Sequence, residues 1–223
     1  MFKRFFQQLR FRKLARQLRR PSGSMGNKVG YMMNKANAFL YDFTLETMDL
    51  KDNENVLEIG FGNGMFFEKI FSKAANLRIH GVDFSETMLH AARENNQAAV
   101  TAGRLSLQFG NSDNLLFENN SFDKVFCINV AYFWDEPSKD LQEVYRVLKP
   151  GGRFYTTVRT KDSMQHMPFT RYGFRSYTED EWKELLAKNK FIYRGSVLKD
   201  EPSYEMVESD FNFQSVCFIA EKN

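Results

Sequence analysis

The 223 residues contain no run of about 18 apolar positions, so a transmembrane helix is excluded. Cysteine is nearly absent. Cys127 and Cys217 are the only two, each inside an apolar stretch, which excludes a disulfide framework or a zinc site by count. Buried reduced thiols in a cytoplasmic protein are the expectation. With 5 Pro and 13 Gly the chain is neither collagenous nor low-complexity, and 43% hydrophobic against 26% charged residues suits one folded core. The amino end lacks the apolar stretch and small-residue cleavage site of a secretory signal, because Lys or Arg interrupts it every few positions.

Acidic residues are missing from positions 1–20, which hold eight basic ones: Lys3, Arg4, Arg10, Arg12, Lys13, Arg16, Arg19 and Arg20. The rest of the chain keeps 23 basic against 28 acidic residues, so a cationic arm precedes a body about five charges negative. Such an arm suits an anionic membrane surface or RNA, or a helix folded back on its own domain. Phe2, Phe5, Phe6 and Leu9 share one helical face, whereas Phe11, Leu14 and Leu18 share nearly the opposite one. The apolar stripe therefore jumps near residue 10, which one continuous membrane-lying helix should not do. A docked or solvated arm is the favoured reading. The membrane surface ranks second and nucleic acid last.

Pro21-Ser22-Gly23-Ser24-Met25-Gly26 reads as a breaker between the arm and a single domain over 21–223. Apolar spacing predicts a helix over 27–49. Strands are then expected at 55–59, 78–82, 105–109, 124–129, 152–159, 191–198 and 213–221, with helices at 65–74, 85–96, 138–148 and 179–189, the last capped by Thr178. This alternation implies an α/β fold. The expected sheet is doubly wound, seven-stranded and mostly parallel, with helices on both faces and an antiparallel terminal strand.

The most informative segment is Val56-Leu57-Glu58-Ile59-Gly60-Phe61-Gly62-Asn63-Gly64-Met65, an apolar strand entering a turn with glycine at every second position. Glycine admits positive φ and close approach of a ligand, and such turns lie at the carboxyl ends of strands, where ligands bind. A P-loop would need Gly-Lys-Ser/Thr after the turn, and a dinucleotide turn a third glycine at the place of Met65; neither is present. Glu58 beneath the loop disfavours a pyrophosphate and suits a ligand bearing an ammonium and a sulfonium. Asp83, 19 residues beyond Gly64, closes the second strand and is placed to accept both hydrogen bonds of a ribose diol.

Five segments in order, Val56–Gly64, Gly81–Ser85, Gly110–Phe117, Ser121–Asp123 and Arg146–Gly152, resemble the class I S-adenosylmethionine-dependent methyltransferases, of the small-molecule type that includes the quinone C-methylases. The resemblance covers roughly residues 27–221. It implies a turn of Gly60, Gly62 and Gly64 under the methionine part of S-adenosylmethionine, with Glu58 near its ammonium. It further implies Asp83 on the ribose, Phe84 against the adenine and the backbone of Asn129 by the methyl donor. Asn111, with Ser112, stands where the family has an Asp that accepts from the adenine amino group; a neutral acceptor there costs about 1 kcal/mol.

Methyl transfer from a sulfonium needs alignment and exclusion of water more than an acid or base. Tyr132 and Trp134 are candidates to flank a flat acceptor, and Tyr31 lies on a helix expected to close over the cofactor as a lid. His166, in a Met- and aromatic-rich segment after the fifth strand, is the candidate general base. The expected partner is a small-molecule acceptor. An RNA methyltransferase and a non-catalytic cofactor-binding scaffold are the alternatives, and a nicotinamide oxidoreductase is disfavoured by Glu58 and Met65. No metal is expected, and oligomeric state is not legible.

Overall fold

The computed structural model describes residues 2–202 and 211–223. In chain order the elements begin with α1 (Phe2–Arg19), α2 (Gly23–Met48), β1 (Asn55–Ile59), α3 (Phe67–Phe71), β2 (Arg78–Asp83), α4 (Glu86–Asn95), α5 (Gln97–Thr101) and β3 (Leu105–Phe109). They continue with β4 (Phe122–Ile128), a single 3-10 turn (Ala131–Phe133), α6 (Pro137–Val147), β5 (Leu148–Arg159), α7 (Lys161–Gln165), α8 (Glu179–Lys188), β6 (Phe191–Asp200) and β7 (Gln214–Lys222). The seven strands lie in the order β3-β2-β1-β4-β5-β7-β6. Pairs among β1 to β5 are parallel, and β7 runs antiparallel to both β5 and β6. The doubly wound sheet with an antiparallel terminal strand is therefore present.

Apolar residues on alternate positions of the central strands feed two cores. Leu57, Val125, Cys127 and Phe154 face α6 and α8, where Trp182 and Leu186 pack. Val56, Phe126, Ile128 and Tyr155 face α2, α3 and α4 with Leu40, Phe43 and Ile70. Burying each large side chain contributes about 1.5–3 kcal/mol. The two cysteines, free and buried, lie in opposite cores, and burial pushes the Cys217 thiol up to about 12.

Several local expectations shift. Gly23–Gly26 is helical rather than a breaker; only Arg20, Pro21 and Ser22 interrupt the two N-terminal helices. Gly26 permits this, since a Cβ there would lie 2.8 Å from the Pro21 carbonyl carbon. The helix expected over 65–74 shortens to α3, and the five-residue α5 went unforeseen. β5 starts at Leu148, ahead of the expected 152, and changes register where Lys124 pairs with Arg153. α8 begins as expected, with Thr178 and Glu181 forming a reciprocal capping box. The side chains of residues 2–5 lie outside the described part, and with them the expected alignment of Phe2 and Phe5 with Phe6 and Leu9.

Candidate functional site

Strand order reverses between β1 and β4, so the chain leaves these strands in opposite directions and opens a crevice at their carboxyl ends. A cavity of about 430 Å³ lies there. Ile59 and Gly60 close β1, Val82 and Asp83 close β2, and Ile128 and Asn129 close β4, and all six line it.

At the β1 end the glycines do different jobs. Gly60 (φ +79°) has no room for a side chain, because a Cβ would meet Val130 Cγ2 at 2.3 Å. Gly62 (φ +58°) faces open space, so a ligand can approach its backbone. Gly64 does not line the cavity. It packs against α4, where a Cβ would lie 2.8 Å from Ala92 Cβ and from Asn96 Nδ2. The expectation that all three glycines run under a ligand is corrected for Gly64.

Asp83 joins two turns. Its Oδ2 accepts from the Gly62 N–H at 2.9 Å and its Oδ1 from the Ser85 N–H at 2.8 Å. Burial pushes the Asp83 carboxyl up to about 6 against those two bonds. Each oxygen keeps a further lone pair, so two more hydrogen bonds are available to a ligand in the cavity. Phe84 lines the same end. Asn111 and Ser112 do too, and the Ser112 hydroxyl donates to Asp140 Oδ1 at 2.5 Å. Asp113, which sequence reading passed over, is a further acceptor beside them.

Glu58 is the largest departure. It is buried, lies outside the cavity lining and accepts a short hydrogen bond from the Tyr41 hydroxyl. Desolvation raises its pKa to about 8, and its Oε1 is taken up by Tyr41 rather than turned to the cavity. The sequence argument that Glu58 attracts an ammonium directly fails on this burial. Tyr41, stacked on Phe66 with ring centroids 3.9 Å apart, is the group that lines the cavity instead.

α2 supplies one wall through Gly30, Asn34, Asn37 and Tyr41, a 4-3-4 spacing that puts them on one helical face. Tyr31, expected in the pocket, is 60% exposed and outside it. Asn37 Oδ1 accepts from Asn129 Nδ2 at 2.9 Å, and Asn129 (φ +56°) accepts from the Tyr132 hydroxyl through Oδ1. Tyr132 is thus a core side chain holding Asn129, and does not line the cavity. Trp134 does line it, with Phe133. Trp134 and Asn34 both line the cavity, and Trp134 Nε1 and Asn34 Nδ2 are buried with no hydrogen-bond partner among the described residues.

His166 is exposed, outside the cavity, and stacked on Phe211 at 3.6 Å between centroids, with Nδ1 2.9 Å from the Asp162 carbonyl oxygen. The expected general base is therefore not brought to the site. The cavity gains instead Leu18, Arg19, Arg20 and Pro21 from the N-terminal segment. Arg19 pairs with Asp135 at 2.5 Å and the Arg20 guanidinium lies 5.6 Å from the centre of the Phe84 ring. The arm is docked, within the favoured expectation, but nothing in its sequence showed that its end would reach this cavity.

Residues 57–156 match the Methyltransferase domain family. The chain is 28% identical over 135 residues to the uncharacterized methyltransferase YdaC of Bacillus subtilis, spanning 60% of this chain and 72% of that protein. It is 33% identical over 150 residues to a demethylmenaquinone methyltransferase of Symbiobacterium thermophilum, across 65% of this chain but only 55% of that one. In fold it resembles a Haloferax volcanii methyltransferase solved with the Trm112 methyltransferase activator, with a TM-score of 0.74, 19% identity, and coverage of 95% and 96%. A glycine turn open at Gly62, a strand-end acid at Asp83 and unpaired donors in the same cavity fit S-adenosylmethionine. Fold, cavity and sequence together support a class I S-adenosylmethionine-dependent methyltransferase.

Proposed function

We propose that this protein methylates a small-molecule acceptor by direct displacement, with the acceptor bound between α2 and the segment after β4. S-adenosylmethionine supplies the activated methyl group on a sulfonium. Asp83 takes the ribose hydroxyls, Phe84 packs on the adenine, and Asn111, Ser112 and Asp113 face its polar edge. Gly60 and Gly62 let the amino-acid part lie against the backbone, with the Tyr41 ring beside it and Asn34 offering a donor. The backbone of Asn129, fixed by Asn37 and Tyr132, borders the methyl.

The observation that carries the small-molecule reading is the shape of the outer end. Met33, Phe133, Trp134 and the last turn of α1 cover it, and a cavity of about 430 Å³ lies low in the range of small-molecule sites. Those side chains exclude water and align the acceptor, which is most of what a sulfonium displacement asks of a protein. No residue is given the role of general base. The demethylmenaquinone methyltransferase among the similar proteins is consistent with a small acceptor.

Incubation with methyl-labelled S-adenosylmethionine and the small-molecule, RNA and protein fractions of a cell extract tests this reading. Label is expected in the small-molecule fraction. Label in RNA alone would replace the reading with the RNA alternative.

A further inference from the structure

The N-terminal helix has two working faces. Phe11, Leu14, Ala15 and Leu18 turn toward the protein, with Ala15 only 3% exposed. Three further contacts fix it there: the Arg19–Asp135 ion pair, Arg20 against Phe84, and Arg12 with its guanidinium 5.4 Å from the Tyr172 ring centre. Ser85 Oγ donates to the Pro21 carbonyl at 2.5 Å immediately after the helix. This inner face closes the cavity.

The opposite face carries Phe6, Leu9, Arg10, Lys13 and Arg16, all exposed. Positions 6, 9, 10, 13 and 16 follow helical spacing and define one stripe. Phe6 is 60% and Leu9 44% exposed, two of the large apolar side chains the protein leaves in water. Arg10, Lys13 and Arg16 have no acidic partner among the described residues, although the body of the chain carries an excess of acid. The jump of the apolar stripe near residue 10 now has a cause: one stripe serves the protein and the other faces outward.

We propose that this outward face of α1 docks on an anionic lipid bilayer. Cations with apolar neighbours on a single exposed stripe match the headgroup–acyl boundary, where Phe6 and Leu9 enter and the three cations meet phosphates. The inner face stays on the domain, so docking holds the cavity mouth close to the membrane surface. An RNA partner would use the cations but give Leu9 nothing to do.

Flotation of the full chain with vesicles tests the assignment. One set contains phosphatidylcholine only, and the other adds phosphatidylglycerol; a single-stranded RNA oligonucleotide is titrated in parallel. The protein is expected to float with the anionic vesicles at low salt and to come off at high salt. Neutral vesicles should not bind it. Combining Arg10→Glu, Lys13→Glu and Arg16→Glu should lower partitioning by roughly tenfold or more, and Leu9→Ser alone by severalfold. Both variants should keep the wild-type circular dichroism and S-adenosylhomocysteine affinity, because every altered side chain faces away from the cavity. The wild-type salt and lipid series stands even if the triple variant folds poorly. Failure to bind anionic vesicles, equal binding to neutral ones, or full binding by a well-folded triple variant would overturn the proposal. So would RNA binding through the same residues with no vesicle binding.

Discussion

The inner and outer ends of the cavity are built from different material. At the inner end the lining comes from the strand ends Ile59, Gly60, Val82 and Asp83 and the turns that follow, locked by hydrogen bonds from backbone N–H groups: Gly60 N–H to the Val82 carbonyl at 2.7 Å and Gly62 N–H to the Asp83 carboxylate. At the outer end it comes from side chains of α1, α2 and the turn after β4, held by side-chain contacts: Arg19–Asp135, Asn37–Asn129 and Asn129–Tyr132. A backbone frame fixes the position of a shared ligand and tolerates little change. A side-chain frame is free to vary with the acceptor. The difference teaches that substitutions at the two ends should fail in different ways, and it can be broken or sharpened by the following changes.

The largest effect is expected at Gly60. Alanine there combines an unfavourable positive φ with a 2.3 Å approach to Val130, each costing about 1–3 kcal/mol, so both thermal stability and S-adenosylhomocysteine binding should fall. Gly62→Ala carries only the backbone cost and should lose binding far more than stability. If both variants melted alike and bound alike, the inner end would not be the rigid frame described.

Next is the pH dependence of the ligand-free protein. Glu58 has its pKa raised from 4.5 to about 8 and Asp83 from 3.8 to about 6, so the folded state holds these protons more tightly than the unfolded chain. Their contribution to stability is complete below about pH 4 and is lost as pH rises through about 6 and then about 8. Thermal melts from pH 5 to 9 should therefore show declining stability. Glu58→Gln should remove the decline above pH 6, and an unchanged profile would contradict a protonated Glu58.

At the outer end, Trp134→Phe deletes an unpaired donor but keeps the stacking on Phe154 and Trp182. It should leave stability and S-adenosylhomocysteine affinity within about twofold of wild type while slowing methyl transfer to the acceptor severalfold. The smallest effect is expected at His166, which lies outside the cavity. His166→Ala should keep full turnover, and a large loss would bring the segment after β5 back into the site.

The same contrast explains what was legible in the sequence. β1 and β3 fall at the expected residues because each is a short apolar run bounded by turn signals. Thr178 announced the start of α8 by local chemistry alone, and Glu181 completes its cap. Gly60, Gly62, Asp83 and Phe84 were legible because a strand end and the turn after it form a continuous stretch of chain. Glu58 was misjudged because its burial depends on Tyr41, 17 residues earlier and in another element. Tyr31 and Tyr132 were chosen by residue type, but whether a side chain reaches the cavity is set by helix rotation and by the hydrogen bond to Asn129. Asn37 was missed because a polar residue in an otherwise apolar helical pattern carries no sign that it faces a cavity.

The central claim is that the acid at the end of β2 holds the nucleoside of the cofactor. Calorimetric titration of wild type, Asp83→Asn and Asp83→Ala with S-adenosylhomocysteine tests it most directly, with NADH as the control. The account predicts binding to wild type and none of NADH. It predicts a roughly 10- to 100-fold loss for Asp83→Ala, from charge-assisted hydrogen bonds worth about 1.5–3 kcal/mol, and a smaller loss for Asp83→Asn, which keeps one acceptor oxygen. Wild-type affinity in a correctly folded Asp83→Ala protein would contradict it.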